Sequence, residues 1–311
     1  MPGKPGRVVV TGGAGFIGSH VADAFLADGA AVLVIDDLST GLEENVPSAA
    51  ELRRIDILDV PQFGGALEGF EPDVVCHLAA QASVTVSVER PEHDLDVNVR
   101  GTLNVCEAAR AAGAPVVFAS TGGAIYGNRA PLPTPESFPP EPLAPYGASK
   151  LAGEAYVATW GRLHGLPNVV LRLGNVYGPR QQPHGEAGVV AIFSDRLARG
   201  EQVVVYGFGK PTRDYVHVSD VARAFAIAAA SGRSGTFNVG TGRETSVLEL
   251  LEILQREAGT DVQPELRPLR PGELERSALD SAAIERELGW RAETPVEQGL
   301  PETFRALAAL A

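Results

Sequence analysis

The 311-residue sequence predicts an α/β fold, a doubly wound parallel sheet followed by a smaller C-terminal domain. Three observations support this prediction. The chain opens with an apolar strand, a glycine-rich turn and an amphipathic helix. Strand and helix patterns then alternate through the first half, which is typical of a parallel sheet with helices on both faces. After residue 174 the alternation becomes irregular, and this change indicates a second unit.

The opening stretch has the chemistry of a dinucleotide-binding turn. Residues 7–10 form the strand, and the helical pattern of 19–28 ends at Gly29. Between them, Gly12, Gly13, Gly15 and Gly18 fit two spacings of the dinucleotide fingerprint. Small residues let the backbone approach a pyrophosphate, and the helix N-terminus then binds that anion. The alternative is a glycine-rich turn without a ligand, but the strand–turn–helix context favours the nucleotide.

The next strand, residues 31–35, ends in two carboxylates. Asp36 lies close to the distance along the chain at which an acidic side chain accepts the ribose hydroxyls of NAD. The same charge repels a 2′-phosphate, so the sequence predicts NAD rather than NADP. The residues that follow form either an ordinary loop or a turn around the adenosine ribose: Asp37, Leu38, Ser39, Thr40 and Gly41.

Composition excludes several classes of function. The net charge of −13 argues against nucleic acid as a partner, because that ligand needs a basic face. We see no apolar run of membrane-spanning length and no leader, and we expect a soluble, cytoplasmic protein. Cys76 and Cys106 are expected to be buried free thiols. The six histidines show no metal-ligand spacing, so we predict no metal site.

Further elements follow in order through residue 120. Residues 52–58 are predicted as a strand carrying Asp56, which either faces the adenine amino group or lies on the surface. Residues 74–80 form an apolar strand whose small final residues leave room for a ligand at the sheet's switch point. Residues 81–88 form a polar connection suited to substrate contact. Residues 98–112 form a helix for the core or a dimer face, and 115–120 form another strand.

The second half contains shorter elements. We predict strands at 169–173, 202–206 and 236–239, helices at 218–230 and 246–258, and a long binding loop at 174–188. The chain is expected to return to the first sheet around 214–240. We therefore divide it into residues 1–173 with about 214–240, and residues 174–213 with 241–311.

Tyr146 and Lys150 are spaced to lie on one face of a helix. A phenol normally titrates near pH 10, but a nearby ammonium and the positive ring of NAD⁺ favour the phenolate. Such a phenolate can remove an alcohol proton as hydride leaves carbon. This spacing alone is more often structural. Downstream of the glycine turn, and of a strand ending in Ser120 and Thr121, the catalytic interpretation is favoured.

Together these motifs resemble the extended short-chain dehydrogenase/reductases, which have a Rossmann domain, and most closely the UDP-glucose (UDP-galactose) 4-epimerase family. The resemblance covers nearly the whole chain. It is carried by residues 11–18, 36–41, 77–80, Asn98, 120–127, Tyr146 with Lys150, 172–179 and 213–218. The resemblance implies a UDP-hexose 4-epimerase that interconverts UDP-galactose and UDP-glucose through a transient 4-keto sugar, with hydride passed to and from bound NAD. It also implies a homodimer through the helices from Asn98 and Tyr146.

The resemblance assigns residues to each part of this reaction. Tyr146 removes the O4 proton, Lys150 lowers the pKa of Tyr146 and holds the nicotinamide ribose, and the second domain binds the nucleotide sugar. The residues implied to bind NAD are Gly12, Gly15, Phe16, Ile17, Gly18, Asp36, Asp37, Leu38, Ser39, Thr40, Gly41, Asp56, Ile57, Leu78, Ala79, Ala80, Gln81, Asn98, Tyr146, Lys150 and Val176. Those implied to bind the UDP-sugar are Ser83, Thr121, Tyr146, Asn175, Val189, Val204, Val205, Tyr206, Arg213 and Arg270. The two arginines suit phosphates because their guanidinium groups bind such oxygens in pairs.

The sequence departs from the family at Gly122, where many of these epimerases carry a serine that holds the sugar O4. Thr121 is the nearest hydroxyl, and we assign it that role; it could instead satisfy backbone groups at the strand end. The related dehydratases carry an acid pair here, which Gly122 and Gly123 cannot replace, so dehydration is disfavoured. Three alternatives stay open: an epimerase of N-acetyl or uronate sugars, admitted near Ser277; a nucleotide-sugar decarboxylase or dehydratase; and a non-enzymatic dinucleotide-binding regulator.

Overall fold

The computed structural model describes residues 3–183, 188–269 and 274–309. The strands are β1 (Arg7–Thr11), β2 (Ala31–Asp36), β3 (Glu51–Arg54), β4 (Val74–His77), β5 (Val116–Thr121), β6 (Val169–Leu173), β7 (Asn175–Tyr177), β8 (Val204–Tyr206), β9 (Thr212–Arg213), β10 (Tyr215–His217), β11 (Gly235–Val239), β12 (Thr245–Ser246) and β13 (Glu265–Arg267). The helices are α1 (Phe16–Ala27), α2 (Val60–Phe70), α3 (Val84–Glu89), α4 (Pro91–Leu95), α5 (Gly101–Ala111), α6 (Gly122–Ile125), α7 (Pro145–His164), α8 (Val189–Ala198), α9 (Val218–Ser231), α10 (Val247–Ala258), α11 (Ala282–Leu288) and α12 (Val296–Ala308). Short 3₁₀ turns span Glu43–Asn45 and Gly207–Gly209, and a π-helical turn spans Asp96–Arg100.

A parallel sheet of seven strands, in the order β3–β2–β1–β4–β5–β6–β11, lies at the centre. Its core strands are apolar runs because both faces are covered. On one face, Phe25 of α1 and Phe225 of α9 belong to the same buried cluster. On the other face, Phe63 of α2 and Val157 of α7 belong to a second cluster. The predicted doubly wound parallel sheet is therefore confirmed.

The strand order reverses between β1 and β4, which are neighbours in the sheet although β2 and β3 separate them in the chain. Open α/β sheets bind ligands in the crevice outside the carboxyl ends of the strands at such a reversal. The glycine turn follows β1, and residues 78–81 follow β4. Both therefore lie beside this crevice.

Several predicted element bounds are wrong, for local reasons. The strand predicted at 52–58 ends at Arg54, because Asp56 turns the chain by accepting a hydrogen bond from the Leu58 amide (2.8 Å). The strand predicted at 74–80 ends at His77, where its partner β1 also ends. The helix predicted from residue 98 begins as the π-helical turn, and α5 follows it.

Two connections contain regular structure that the sequence did not indicate. Residues 81–88 include most of α3, whose first turn is capped by the Ser83 hydroxyl. The predicted loop at 174–188 contains β7, which pairs with β10. The pattern also missed α2, which has glycines at several positions and is capped at its N-terminus by Asp59.

A third buried cluster lies outside the central sheet and joins α8, α10 and α12 through residues such as Phe193, Leu254 and Phe304. Short strands pair outside the central sheet, β7 with β10, β8 with β13 and β9 with β12, and Tyr177, Val205 and Tyr215 of these strands belong to the third cluster. Ile284 and Trp290, from the C-terminal part of the chain, pack instead in the cluster of the central sheet. The division into two domains stays a prediction.

Across the three described ranges, no helix combines the length of a membrane span with the apolar character that one requires.

Candidate active site

The glycine turn is held against the start of the segment after β4. Gly12 has a φ of +70°, and a Cβ on this residue would lie 2.6 Å from the Ala79 backbone nitrogen. A Cβ on Gly18 would collide with the carbonyl oxygen of Gly12. Gly15 is the N-cap of α1 and supplies no side-chain hydrogen bond, so Phe16 and Ile17 begin a helix whose first amides lack a side-chain cap. This cradle fits an anionic group such as a pyrophosphate.

Asp36 connects the glycine turn after β1 to the turn at residues 36–41 after β2. Its Oδ2 accepts a hydrogen bond from the Ala14 amide (3.0 Å), and its Oδ1 accepts one from the Leu38 amide (2.9 Å). Burial raises the pKa of Asp36, whereas these two hydrogen bonds lower it. Asp37 binds both the amide and the hydroxyl of Ser39, and Gly41 packs against Asp36. Residues 36–41, including the exposed Thr40, thus form an ordered turn around a carboxylate with lone pairs to spare.

Asp56 and Ile57 lie just beyond β3. Asp56 is exposed, and its Oδ1 is engaged by the Leu58 amide. The Ile57 side chain is buried under Gly101, where it belongs to the second cluster. Ile57 can therefore reach a ligand only through its backbone.

A buried hydrogen-bond chain runs from β1 to the π-helical turn. The Thr102 hydroxyl donates to the Asn98 carbonyl oxygen (2.6 Å), so it accepts from His77 Nε2 (3.1 Å). His77 Nδ1 must then accept from the Thr11 hydroxyl (2.8 Å). Thr11 Oγ1 also accepts from the amides of Leu78 and Ala79 (both 3.2 Å). Burial and, to a smaller extent, the charge of Lys150 together lower the pKa of His77 to about 3, so the ring is neutral.

Asn98 holds the segment after β4 from the other side. Its Oδ1 accepts from the Gln81 amide (3.0 Å), and its Nδ2 lies within 3.1 Å of the Gln81 carbonyl, Asp94 Oδ1 and Ser149 Oγ. Both polar atoms of its side chain are thus engaged within the protein. Leu78, Ala79, Ala80 and Gln81 are half-buried beside the crevice. Asn98 therefore acts on a ligand here chiefly through the backbone that it holds.

The structure brings Thr121, Tyr146 and Lys150 together. Thr121 ends β5, and its side chain forms a hydrogen bond with Tyr146 of α7. Lys150, one turn further along α7, is buried; its Nζ donates to the Ala119 carbonyl oxygen (3.0 Å) and lies 4.8 Å from the centre of the Phe118 ring.

The pKa of Tyr146 departs from the expected direction. Its pKa is raised to about 12: burial is the largest cause, the charge of Asp94 adds to it, and the Thr121 hydrogen bond opposes both. Lys150 was expected to lower this pKa. Among the chain's own groups, however, burial outweighs every opposing effect. The pKa of Lys150 itself is lowered to about 8 by burial, which the charges of Asp94 and Glu154 oppose.

The space at Gly122 is filled by a side chain from a distant segment. A Cβ on Gly122 would lie 2.5 Å from Cδ1 of Leu279. A Cβ on Gly123 would lie 3.2 Å from Asn175 Oδ1 and 4.0 Å from Thr121 Oγ1. Gly122 and Ser277 line the same small cavity. Where many of these epimerases carry a serine, this chain therefore has Gly122 with the Leu279 side chain packed against it. A larger residue at 122 would fit only if Leu279 shifted.

The remaining substrate-side residues differ in how available they are. Asn175 Oδ1 is buried without a hydrogen-bond partner in the described part of the chain, and Val176 follows it in β7. The Arg213 guanidinium donates to the carbonyl oxygens of Thr212 (2.9 Å) and Leu274 (2.7 Å). Ser83 caps α3, and the Val205 side chain is fully buried in the third cluster. Half-buried positions are Val189, Val204 and Tyr206, whereas Arg270 lies outside the described residues.

Two acidic residues near the site were missed from the sequence. Asp94 is buried and accepts hydrogen bonds from Gln81 Nε2 (2.7 Å) and Asn98. Glu154 is buried one turn beyond Lys150 on α7. The spacing of four residues from Asn98 back to Asp94, and from Lys150 on to Glu154, was the available signal, because such pairs share a helix face.

Comparison with known proteins gives consistent matches. A model of the NAD dependent epimerase/dehydratase family matches residues 8–240. A UDP-glucose 4-epimerase of Mycolicibacterium smegmatis is 46% identical over 304 residues, which cover 96% of this chain and 97% of that protein. The structure of a UDP-glucose 4-epimerase from Thermotoga maritima with UDP-glucose has a TM-score of 0.95 at 43% identity, covering 98% of this chain and 99% of that one. One from Thermus thermophilus in complex with NAD has a TM-score of 0.92 at 46% identity, covering 98% and 100%.

The family model covers most of the chain, including the glycine cradle, the Asp36 turn and the Thr121–Tyr146–Lys150 group. The chain therefore belongs to the NAD dependent epimerase/dehydratase family.

Proposed function

We propose that this protein is a UDP-hexose 4-epimerase that interconverts UDP-galactose and UDP-glucose through a transient 4-keto sugar, with NAD as its resident cofactor. One observation carries the proposal: the Thr121 side chain hydrogen-bonds to the Tyr146 phenol, with Lys150 one turn away, at the carboxyl edge of the sheet. The relatives named UDP-glucose 4-epimerase, including one with UDP-glucose and one with NAD, support the substrate and the cofactor.

NAD, when bound, supplies the acceptor and donor of hydride. Tyr146 exchanges a proton with the sugar O4, and Thr121 orients both oxygens through its hydroxyl. Because burial raises the pKa of Tyr146 to about 12, the phenol needs a further positive charge close by to ionise near neutral pH. An oxidised nicotinamide ring carries such a charge, and Lys150 adds a second one while it stays protonated.

The residues around the crevice divide into two groups. The glycine turn, the turn at 36–41 and the half-buried segment 78–81 would hold NAD. Asn175 offers the sugar nucleotide an amide oxygen that accepts no hydrogen bond from the described residues. Arg213 is fixed by carbonyl oxygens and would contribute its charge from a set position. Val204 and Tyr206 would line the uridine side.

A decarboxylase or dehydratase of nucleotide sugars is the alternative within the same fold. Gly122 and Gly123 offer no proton donor or acceptor, and Leu279 fills the space at Gly122. The local chemistry therefore favours a reaction that needs only the Tyr146 phenol. The product discriminates directly, because decarboxylation and dehydration change the mass of the sugar nucleotide and epimerisation does not.

The experiment is proton NMR of UDP-galactose incubated with the purified protein and no added NAD. Appearance of the anomeric signal of UDP-glucose establishes 4-epimerisation with retained cofactor. A signal that needs added NAD supports the reaction but not tight retention. A 4-keto-6-deoxy product contradicts the proposal, and no change directs the test to N-acetyl and uronate sugars.

We also infer a homodimer through α5 and α7. Tyr156 and Leu163, seven residues apart on α7, are 37% and 67% exposed, so this helix presents apolar side chains that suit a helix-to-helix contact. Light scattering that shows only monomer would contradict this inference.

A further inference from the structure

One face of α7 carries three chemically distinct side chains at intervals of four residues: Tyr146, Lys150 and Glu154. The first two belong to the proposed reaction. Glu154 is 5% exposed and has no part in that reaction as described. A carboxylate so deeply buried needs partners, because an unpaired buried charge is strongly destabilising.

Glu154 has partners on two strands of the sheet. The Arg172 guanidinium, from β6, donates from Nε to Oε1 (3.0 Å) and from its terminal nitrogen to Oε2 (2.7 Å). The Ser120 hydroxyl, from β5, donates to Oε1. All three residues are buried. Glu154 therefore clamps α7 to the carboxyl ends of β5 and β6.

These contacts fix residues that come just before and just after Thr121 in the chain. Ser120 directly precedes Thr121. Arg172 also donates to the hydroxyl of Tyr126 (2.8 Å), which follows the short helix after Thr121. Lys150 donates to Ala119, one residue before Ser120. The backbone that aims Thr121 at Tyr146 is thus held by Lys150 and the Glu154 network together.

Among the described residues, the charges that act on the pKa of Lys150 are those of two carboxylates. Burial lowers its pKa to about 8, and the charges of Asp94, from α4, and Glu154 raise it. His77, from β4, is neutral because its pKa is lowered to about 3 by burial. Phe118 of β5 presents its ring face. Tyr146 is uncharged among the chain's own groups, because burial raises its pKa to about 12. Two carboxylates therefore keep the buried ammonium charged.

We propose that Glu154 is a positioning residue for the Tyr146–Lys150 pair: it fixes the strand end that carries Thr121, and its negative charge keeps the Lys150 ammonium protonated. Arg172 holds that carboxylate in place and limits its effect on Lys150. The catalytic consequence rests on the proposed function, whereas the effect on the charge of Lys150 does not.

The test is a direct titration of Lys150 by NMR. The sequence has three lysines, Lys4, Lys150 and Lys210, so protein labelled with ¹³Cε-lysine gives three signals. Lys4 and Lys210 are exposed and serve as internal references. In Glu154→Gln we expect the Lys150 midpoint to fall by roughly half a pH unit or more, because a nearby negative charge is lost. The reference signals should not move.

Arg172→Gln is the matched control, because it breaks the same buried ion pair from the other side. It leaves the carboxylate unopposed, so the Lys150 midpoint should stay or rise. If the substitutions acted only by disturbing the structure, the Lys150 titration midpoint would move in the same direction in Glu154→Gln and in Arg172→Gln. A Lys150 midpoint unchanged in Glu154→Gln, or lowered equally in both variants, overturns the proposal.

Where Glu154→Gln does not fold, the double variant Glu154→Gln/Arg172→Gln replaces it, compared with Arg172→Gln alone. The pair then differs only in the charge of residue 154, and the double variant should have the lower Lys150 midpoint; equal midpoints overturn the proposal. In active variants, the alkaline limb of the kcat profile should shift to lower pH with Glu154→Gln, and Glu154→Asp should restore it. If Glu154→Gln shifts the Lys150 midpoint but the unsubstituted protein itself has no epimerase activity, the proposed function is contradicted and the charge effect stands.

Discussion

The two sides of the crevice are built in different ways. On the nucleotide side, the glycine turn and Asp36 come from one continuous segment, and Asp36 is already bound to Ala14 and Leu38. On the sugar side, Thr121, Tyr146, Asn175 and Leu279 come from four segments far apart in the chain. Asn175 Oδ1 is buried and has no hydrogen-bond partner in the described ranges. The nucleotide side is thus preset by the backbone, whereas the sugar side keeps the amide oxygen of Asn175 available.

Removing the phenol oxygen of Tyr146, on the sugar side, should cause the largest loss of turnover. We expect Tyr146→Phe to lower turnover by about 10³-fold or more, because no other group in the described site can exchange a proton with O4 at that position. NAD content, measured by absorbance after release from the protein, should be largely retained, since the glycine turn and the turn at 36–41 are not changed. Full turnover in this variant would contradict the mechanism.

Adding a methyl group at Gly18, on the nucleotide side, should weaken NAD binding and leave the chemical step intact. In Gly18→Ala the added Cβ collides with the Gly12 carbonyl oxygen, so the turn must open. We expect NAD affinity to fall by about 100-fold, or about 2.7 kcal/mol, with turnover restored at high NAD. Gly64→Ala is the control, because a Cβ there meets nothing within 4 Å. Equal NAD affinities, measured by calorimetry, would show that the cradle tolerates a side chain.

The packing of the sugar side can be tested with a pair of substitutions. Gly122→Ser should destabilise the protein by about 1–3 kcal/mol, because Leu279 occupies the space that the new side chain needs. Adding Leu279→Ala should recover part of that loss, so the double variant should be more stable than the sum of the two single effects predicts. The measurement is urea unfolding of the four proteins of this cycle. Purely additive effects would mean that Leu279 does not decide which residue fits at 122.

The smallest effect should come from the hydrogen-bond chain beneath the crevice. The folded-state pKa of His77 is lowered from 6.5 to about 3, so its contribution is complete above pH 6.5 and is lost as the pH falls towards 3. By pH 5.5 this should cost about 1 kcal/mol of unfolding free energy. Burial also lowers the pKa values of His20 and His217, which act in the same direction.

His77→Asn isolates the His77 contribution. The variant should be less stable at pH 7.5, since it cannot span Thr11 and Thr102, and its stability should depend less on pH between 7.5 and 5.5. Urea unfolding at several pH values measures both. An unchanged slope would assign the pH dependence to the other histidines.

The elements that were predicted correctly have their signal within a short stretch of chain. The strand, glycine turn and helix around Gly12 and Gly18, and the strand that ends at Asp36, are examples; the binding of NAD by these residues stays a prediction. The strand ends were less predictable, because β4 stops where its neighbour β1 stops and β3 stops at the Asp56 turn. The burial of Val205 could not be told from its neighbours Val204 and Tyr206, since all three fit a strand.

The sequence by itself determined the family, the order of the sheet-forming elements, the glycine cradle and the Tyr146–Lys150 face of α7, because periodicity and spacing act over a few residues. Only the tertiary structure decided that Leu279 closes the space at Gly122, that Glu154 meets Arg172 and Ser120, and that the chain's own groups raise the pKa of Tyr146. Each of these depends on burial and on contacts between segments distant in the chain. Such contacts exist only after the sheet has brought its carboxyl ends to one edge.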